Sequence, residues 1–346
     1  MIQVLEEISQ LEEKVRKSDL PKDLSERVMG MVDRLSRLSR FGGYATEYES
    51  VYRYVEWVIT LPWQKRTEDR LNLEEAKQIL DKNHYGLTQV KDRILEYLSV
   101  LILKTREGEF IHAPILCLVG LVGTGKTTLA FSVAEALGRP FVRIPFGGLG
   151  GIFQLRGQSR VLADAEPGQI IKALRRAQVK NPVILLDEID RVAQESRSDI
   201  MGALVELLDP EQNQAFIDHY VDHPFDLSEV LFIATANNLA SVATAVLDRL
   251  EVLEMPSYTD EEKIVIASKY ILPKVLKESG ILPDTITFNP GLWPKIVRPL
   301  GYDAGMRSLE RTIEGIARKV AREILEGGPK KVVLDESSLG RYLPKY

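Results

Sequence analysis

Cysteine is nearly absent from this chain: Cys117 is the only one in 346 residues. No intrachain disulfide can form, and a reducing compartment, the cytoplasm, is the expectation that follows. Cys117 sits in the apolar run 114–119 and reads as an inert core thiol. Histidine is scarce too, with four residues. His219 and His223 stand four apart, but without a third ligand or a cysteine pair nearby they make a poor zinc site. No apolar run reaches the roughly 18 residues that a membrane-spanning helix needs. The amino terminus, MIQVLEEISQLEEK, is charged and amphipathic and lacks the apolar stretch of a signal peptide. Charge of one sign is also missing. A net charge of −5 argues against nucleic acid as the main partner, and LRR at 174–176 is too short a basic run to change that.

What is present is an ordinary globular balance, 45% hydrophobic and 27% charged, in a chain long enough for two or three domains. Val4, Ile8, Leu11 and Val15 recur at helical spacing. After Pro21 a second stripe, Leu24, Val28, Met31, Leu35 and Leu38, stops at Gly42-Gly43. The pair reads as a helical hairpin or arm packed on the rest of the chain. Residues 44–63 carry Tyr44, Tyr48, Tyr52, Tyr54, Trp57 and Trp63 and predict a helix that buries rings against a neighbour.

From Leu73 the pattern changes. Helices are expected over 73–82 and 89–104, followed by strand 114–119, helix 125–137, strand 140–146, helix 167–179, strand 183–187, helix 198–208 and strand 229–235. The runs ILCLV, VILLD and VLFIAT are continuously apolar, the signature of parallel strands covered on both faces. After about Thr259 only helical periodicity is visible, over 261–276, 291–297 and 305–326, with 332–334 as a short terminal strand. The expected fold class is α/β: a P-loop parallel-sheet domain over 73–257, an α-helical lid domain over 258–346 and an N-terminal helical extension over 1–72.

Gly120-Leu-Val-Gly123-Thr124-Gly125-Lys126-Thr127 fits GxxxxGK[ST] and falls between an apolar strand and a helix, where a phosphate-binding loop must lie. Its glycines let backbone N–H groups curl around phosphates. Lys126 is placed for the β/γ-phosphates, the Thr127 hydroxyl for Mg²⁺, and Thr128 follows on the same turn. About sixty residues on, VILLDEID sets Asp187 and Glu188 at a strand end, one carboxylate for the metal shell and the next to orient an attacking water. The strand VLFIATAN delivers Asn237 to the same sheet edge. ATP or ADP with Mg²⁺ is the ligand set these motifs predict.

The order GLVGTGKT, LLDEID, LLDPEQN (207–213), DHYVDHPFDLS (218–228), IATANN, LDRLE (247–251) and AGMRSLER (304–311) closely resembles the AAA+ ATPase part of the Lon proteases. YRYVEWVITLPW and His84-Tyr85-Gly86-Leu87 resemble the segments that precede and open that ATPase. The resemblance implies a ring-forming, hexameric homo-oligomer that hydrolyses ATP to unfold and thread unfolded or damaged proteins. It implies Asn237 as sensor 1, Arg249 as an arginine finger for the neighbouring subunit, Arg307 as sensor 2 and Tyr85 as an adenine contact. Two planar guanidinium forks converging on a triphosphate would meet oxygens that gain charge in the transition state.

Departures from the family pattern accompany the matches. Where Lon proteases place an aromatic–aliphatic pair in the pore, this chain has Leu162 and Ala163, and the second pore loop holds Gln194, Glu195 and Ser196. Phe153 is a large ring nearby that would have to compensate. The Ser–Lys protease domain and any GxSxG are lacking, so no peptide-bond cleavage is expected from this chain alone. It is either a piece of a longer protease or a relative without that domain, and a protease domain elsewhere is an expected partner. A nucleotide-dependent assembly scaffold is the alternative to a threading engine. A DNA-associated loader shares the core but has no support from the charge.

Overall fold

Strands with no polar side to offer water must be sandwiched between helices, and this decides the architecture. The computed structural model describes residues 2–39, 45–107, 115–162, 164–298, 305–329 and 331–343. Its strands are β1 (Ile115–Val119), β2 (Phe141–Pro145), β3 (Val183–Asp187), the hairpin β4 (Phe216–Ile217) and β5 (Pro224–Phe225), β6 (Leu231–Ala236) and β7 (Leu250–Glu254). Five of them form one sheet in the order β2-β3-β6-β1-β7, with every pairing parallel. No strand was expected at β7, because Glu251 and Glu254 break its apolar run; as an edge strand it can afford that polarity.

Side chains alternate across the sheet. Ile115, Cys117, Ile184 and Leu186 enter one core, Leu116, Leu118, Val183 and Leu185 the other. The first core also holds the N-terminal helices α1 (Ile2–Lys17), α2 (Lys22–Ser39) and α3 (Ala45–Ile59). The buried stripe of α2 is Leu24, Val28, Val32 and Leu35; Val32 takes the inward place expected of Met31, which lies at the margin. The second core is covered by α4 (Leu73–Asn83), α5 (Thr88–Glu107) and α6 (Lys126–Leu137). Helices α7 (Ile152–Arg156), α8 (Gln169–Ala177) and α9 (Arg197–Leu208) return to the first core, and α10 (Thr244–Leu247) follows Val242 there.

A capping box at Thr259 and Glu262 starts the last unit. Helix α11 (Asp260–Ile266) passes through one π-helical turn, 267–271, into α12 (Leu272–Glu278). Then come α13 (Trp293–Val297), α14 (Arg307–Leu325) and α15 (Glu336–Tyr342) around a third core. The short strand expected over 332–334 is present as β9 (Val332–Leu334), and it pairs in parallel with β8 (Ile286–Phe288), of which the sequence bears no sign. Three residues of β8 are too few to show a period, so only the partner strand reveals it.

Cys117 is fully buried, and burial pushes its thiol up to about 12, so it is inert. His223 packs edge-on against Trp63 while His219 is exposed. Among the described residues no group of three His, Cys, Asp or Glu side chains could hold a metal ion, and no helix is long and apolar enough to cross a membrane.

Tyr54 ties the N-terminal arm to the sheet domain. Its ring is 1% exposed, its hydroxyl donates to the Val221 carbonyl (3.0 Å) and accepts from Arg27 Nη2 (3.0 Å), and the Arg160 guanidinium lies 3.9 Å from the ring centre. Tyr54→Ala should therefore cost about 3–5 kcal/mol in urea unfolding, the range for deleting a buried ring, and Tyr54→Phe only about 1 kcal/mol.

Candidate active site

The carboxyl ends of β1, β6 and β3 lie side by side, and each hands over a functional segment: Gly120 onward, Asn237, and Asp187-Glu188. They face the helical unit across a cleft of about 430 Å³, within the usual size of a small-ligand site. Lys126, Thr127, Asp187, Glu188, Asn237 and Arg307 all line it.

The phosphate-loop glycines have physical reasons. A Cβ on Gly120 would come within 2.8 Å of Met255, and Gly123 and Gly125 hold left-handed φ values of 83° and 92°. Gly125 caps α6 without any side-chain bond, so the first amides of the helix point into the cleft unsatisfied by a cap. The Thr124 hydroxyl donates to Leu121 O (2.9 Å) and the Thr128 hydroxyl to Gly125 O (2.8 Å), bracing the loop. Lys126 is buried, and its ammonium donates to Gly120 O (2.6 Å), Leu121 O (3.0 Å) and Asn237 Oδ1 (3.0 Å). Burial lowers its pKa, while Asp190, Glu188 and Asp187 pull the other way.

The acidic side is tightly supported. Thr127 Oγ1 stands 3.5 Å from Asp187 Oδ1. Thr235 donates to that oxygen (2.5 Å) and accepts from the Glu188 amide (2.8 Å). Glu188 itself has a left-handed φ of 57°, uncommon for a residue with a Cβ, which turns its side chain out of the strand line. Asp190 Oδ2 accepts from the amides of Asn237 (3.1 Å) and Asn238 (3.2 Å) and so holds the end of β6. Neither Thr235 nor Asp190 stood out from the sequence. The available signals were a lone hydroxyl in an apolar strand and a third acid after the DE pair.

The helical unit closes the cleft by backbone contact. Met306 N donates to Gly123 O (3.0 Å), and a Cβ on Gly305 would fall 2.3 Å from Val122 O, so only glycine fits there. That contact starts α14 at the cleft with Arg307 as its first residue. Tyr258 donates to Thr124 O (3.1 Å), and Tyr270, in the π-helical turn, also lines the cleft with the Lys274–Glu310 pair (2.9 Å). Tyr85 stands half-exposed at the mouth beside buried His84. Tyr258, Tyr270 and Lys274 were not anticipated, because nothing in the lid sequence says which helix face meets the loop.

Other expected residues lie elsewhere. Arg249 is not among the residues lining the cleft; its Nη2 donates to Asp209 Oδ2 (2.7 Å) and its Nη1 to Ala245 O (2.8 Å). Asp209, read from sequence only as part of a loop, has its pKa lowered chiefly by that bond. Leu162 is exposed, Ala163 lies outside the described residues, and Ser196 Oγ donates to Gly150 O (2.7 Å).

The donor set fits a metal-bound nucleotide. Left-handed glycines and uncapped amides form an anion cradle, and the Thr127 and Asp187 oxygens are hard donors suited to Mg²⁺. Asn237, which also lines the cleft, has its Nδ2 buried with no partner among the described residues, a donor still to be satisfied.

Fold and site together define a P-loop nucleotide hydrolase. Residues 116–257 match the ATPase family associated with various cellular activities (AAA), and residues 277–333 match the Lon protease AAA+ ATPase lid domain. The chain is 42% identical over 337 residues to the Lon protease of Syntrophomonas wolfei, covering 97% of this chain and 41% of that protein. It is 43% identical over 346 residues to Lon protease 2 of Thermus thermophilus (98% and 43%), and 45% identical over 339 residues to the Lon protease of Dictyoglomus thermophilum (97% and 42%). The chain thus carries an AAA ATPase domain over 116–257 and, after it, a Lon-type AAA+ ATPase lid domain over 277–333. It spans about two fifths of the length of the curated relatives it matches.

His84 gives the stability of the fold a pH dependence. Its Nε2 lies 3.0 Å from Ser132 Oγ on α6, and burial, then the Lys91 charge, lower its pKa from 6.5 to about 4. The unfolded chain takes up this proton below about 6.5 and the fold only near 4, so stability is complete above 6.5 and is lost as pH falls between the two. The loss amounts to about 3 kcal/mol at most. Thermal unfolding followed from pH 7 to 4 should report that slope, and His84→Gln should flatten it.

Proposed function

We propose that this module is an ATP-driven protein unfoldase and translocase acting as a homo-hexameric ring, organised as extension (1–72), sheet domain (73–257) and lid (258–346). The observation that carries the reading is the Gly123–Met306 backbone contact, which makes the lid respond directly to what the phosphate loop holds. Lys126 and the α6 amides bind the β/γ-phosphates, and Thr127 and Asp187 hold Mg²⁺, which when bound supplies positive charge to the phosphate oxygens. Glu188 orients the attacking water and takes its proton, and Asn237 donates beside it. Arg307 reaches the nucleotide of its own chain. Arg249, held outside the cleft by Asp209, is offered to the nucleotide of the next subunit. Tyr85, Tyr258 and Tyr270 surround the base.

The segment that carries the pore residues supports threading. Val161 is 92% exposed, and Leu162 and Phe153 are also exposed, so apolar surface is presented although the usual aromatic is missing. Unfolded polypeptide is the substrate class, and a protease domain would be the partner that receives it. The scaffold reading draws on Ser196, whose hydroxyl is tied back to Gly150 rather than free to grip.

Three substitutions separate the roles. Lys126→Ala should abolish nucleotide binding measured by fluorescent ADP titration. Glu188→Gln should keep ATP but stop turnover; normal turnover in it would remove Glu188 from the mechanism. Arg249→Ala should slow steady-state hydrolysis by about a thousandfold, the lower end for arginine fingers, with ADP affinity nearly unchanged. The deciding measurement is ATP turnover against protein concentration, with and without casein. A steep rise with concentration and stimulation by casein support the threading ring, whereas tight ATP binding with negligible turnover at every concentration supports the scaffold.

A further inference from the structure

Arg143 is a feature of the cleft that none of the sequence motifs contains. It lies on β2, whose register sets Pro145 opposite Asp187 on β3. Two residues back on the same face of the strand, Arg143 reaches diagonally across to that carboxylate. Its Nε and Nη2 both lie 2.6 Å from Asp187 Oδ2. The Asp187 side chain is only 4% exposed, whereas Arg143 is 53% exposed and lines the cleft. On the other side of β3, Thr235 of β6 donates to Asp187 Oδ1 at 2.5 Å.

The carboxylate is thus clamped by both strands that flank it. Two guanidinium N–H groups share Oδ2 and supply a counter-charge, and with Thr235 on Oδ1 both oxygens are held, which sets the plane of the group. With Oδ2 taken and Oδ1 bonded to Thr235, Oδ1 also stands 3.5 Å from Thr127 Oγ1, at the outer limit of a hydrogen bond. A lysine would give a point charge with no control over that plane.

We propose that Arg143 is a positioning residue for the metal site: it orients Asp187 so that Oδ1 and Thr127 present their oxygens together to Mg²⁺. The proposal rests on the reading of Asp187 as the metal carboxylate. Arg143 acts here through Asp187 and not on the phosphates.

The test is a Mg²⁺ titration of the full chain at fixed fluorescent ADP, with a parallel ADP titration in EDTA. Arg143→Gln should raise the Mg²⁺ midpoint about tenfold or more, the usual effect of removing a partner of a metal ligand, and leave ADP affinity in EDTA unchanged. Should the glutamine variant fail to fold with Asp187 left uncompensated, Arg143→Lys, which keeps the charge, carries the test and should still raise the midpoint several-fold. A wild-type midpoint in Arg143→Lys overturns the proposal. So does an equal loss of ADP affinity with and without Mg²⁺, which would mean direct phosphate contact, or a lowered midpoint, which would mean that the arginine competes with the metal. Asp187→Asn separates the two levels: if it leaves the Mg²⁺ dependence intact, the metal-site reading fails and this inference with it, whereas loss of the dependence in Asp187→Asn but not in the Arg143 variants overturns the inference alone.

Discussion

Parallel pairing of β3, β6 and β1 brings three polar segments within hydrogen-bonding distance at one end of an otherwise apolar sheet, and most of the site follows from it. Leu186 is the register partner of Ala234, so Asp187 and Thr235 emerge next to each other. Val119 is the register partner of Ala236, which puts the start of the phosphate loop beside Asn237. A slip of one residue would turn Asp187 into the opposite core and leave a charge buried without partners. The packing of both faces therefore protects the chemistry as well as the fold.

Against this rigid edge the lid makes a close but small contact. Gly305 can approach Val122 only because it has no side chain, and Met306 is bonded to Gly123 through the backbone. Backbone contacts of this kind depend on the shape of the loop and not on any side chain. The same contact sets where α14 begins, with Arg307 as its first residue at the cleft.

Cations in this molecule are partnered according to where they act. Lys126 is held by loop carbonyls and Asn237 inside the cleft, Arg143 by Asp187 at its edge, and Arg249 by Asp209 away from it. Each partnership fixes a long side chain that would otherwise sample many rotamers.

The sequence by itself determined the fold class and four of the five strands of the main sheet, because these rest on local signals. Short, β-branched apolar runs read as buried strands, and Gly120–Thr128 and Asp187-Glu188 are recognisable from spacing and strand context alone. The tertiary structure decided what depends on partners distant in the chain. Glu-interrupted β7 and three-residue β8 become strands only beside β1 and β9, and Val32 displaces Met31 because the arm meets the sheet at a particular rotation. Thr235, Asp190 and Arg143 carry no motif of their own, and their roles arise from register with a neighbouring strand or a folded-back turn. Tyr258 and Tyr270 reach the cleft because the lid folds back on a loop more than a hundred residues earlier in the chain. Periodicity tells which face of an element is buried, but register and docking angle come from long-range packing, and those settled which polar side chains share the site.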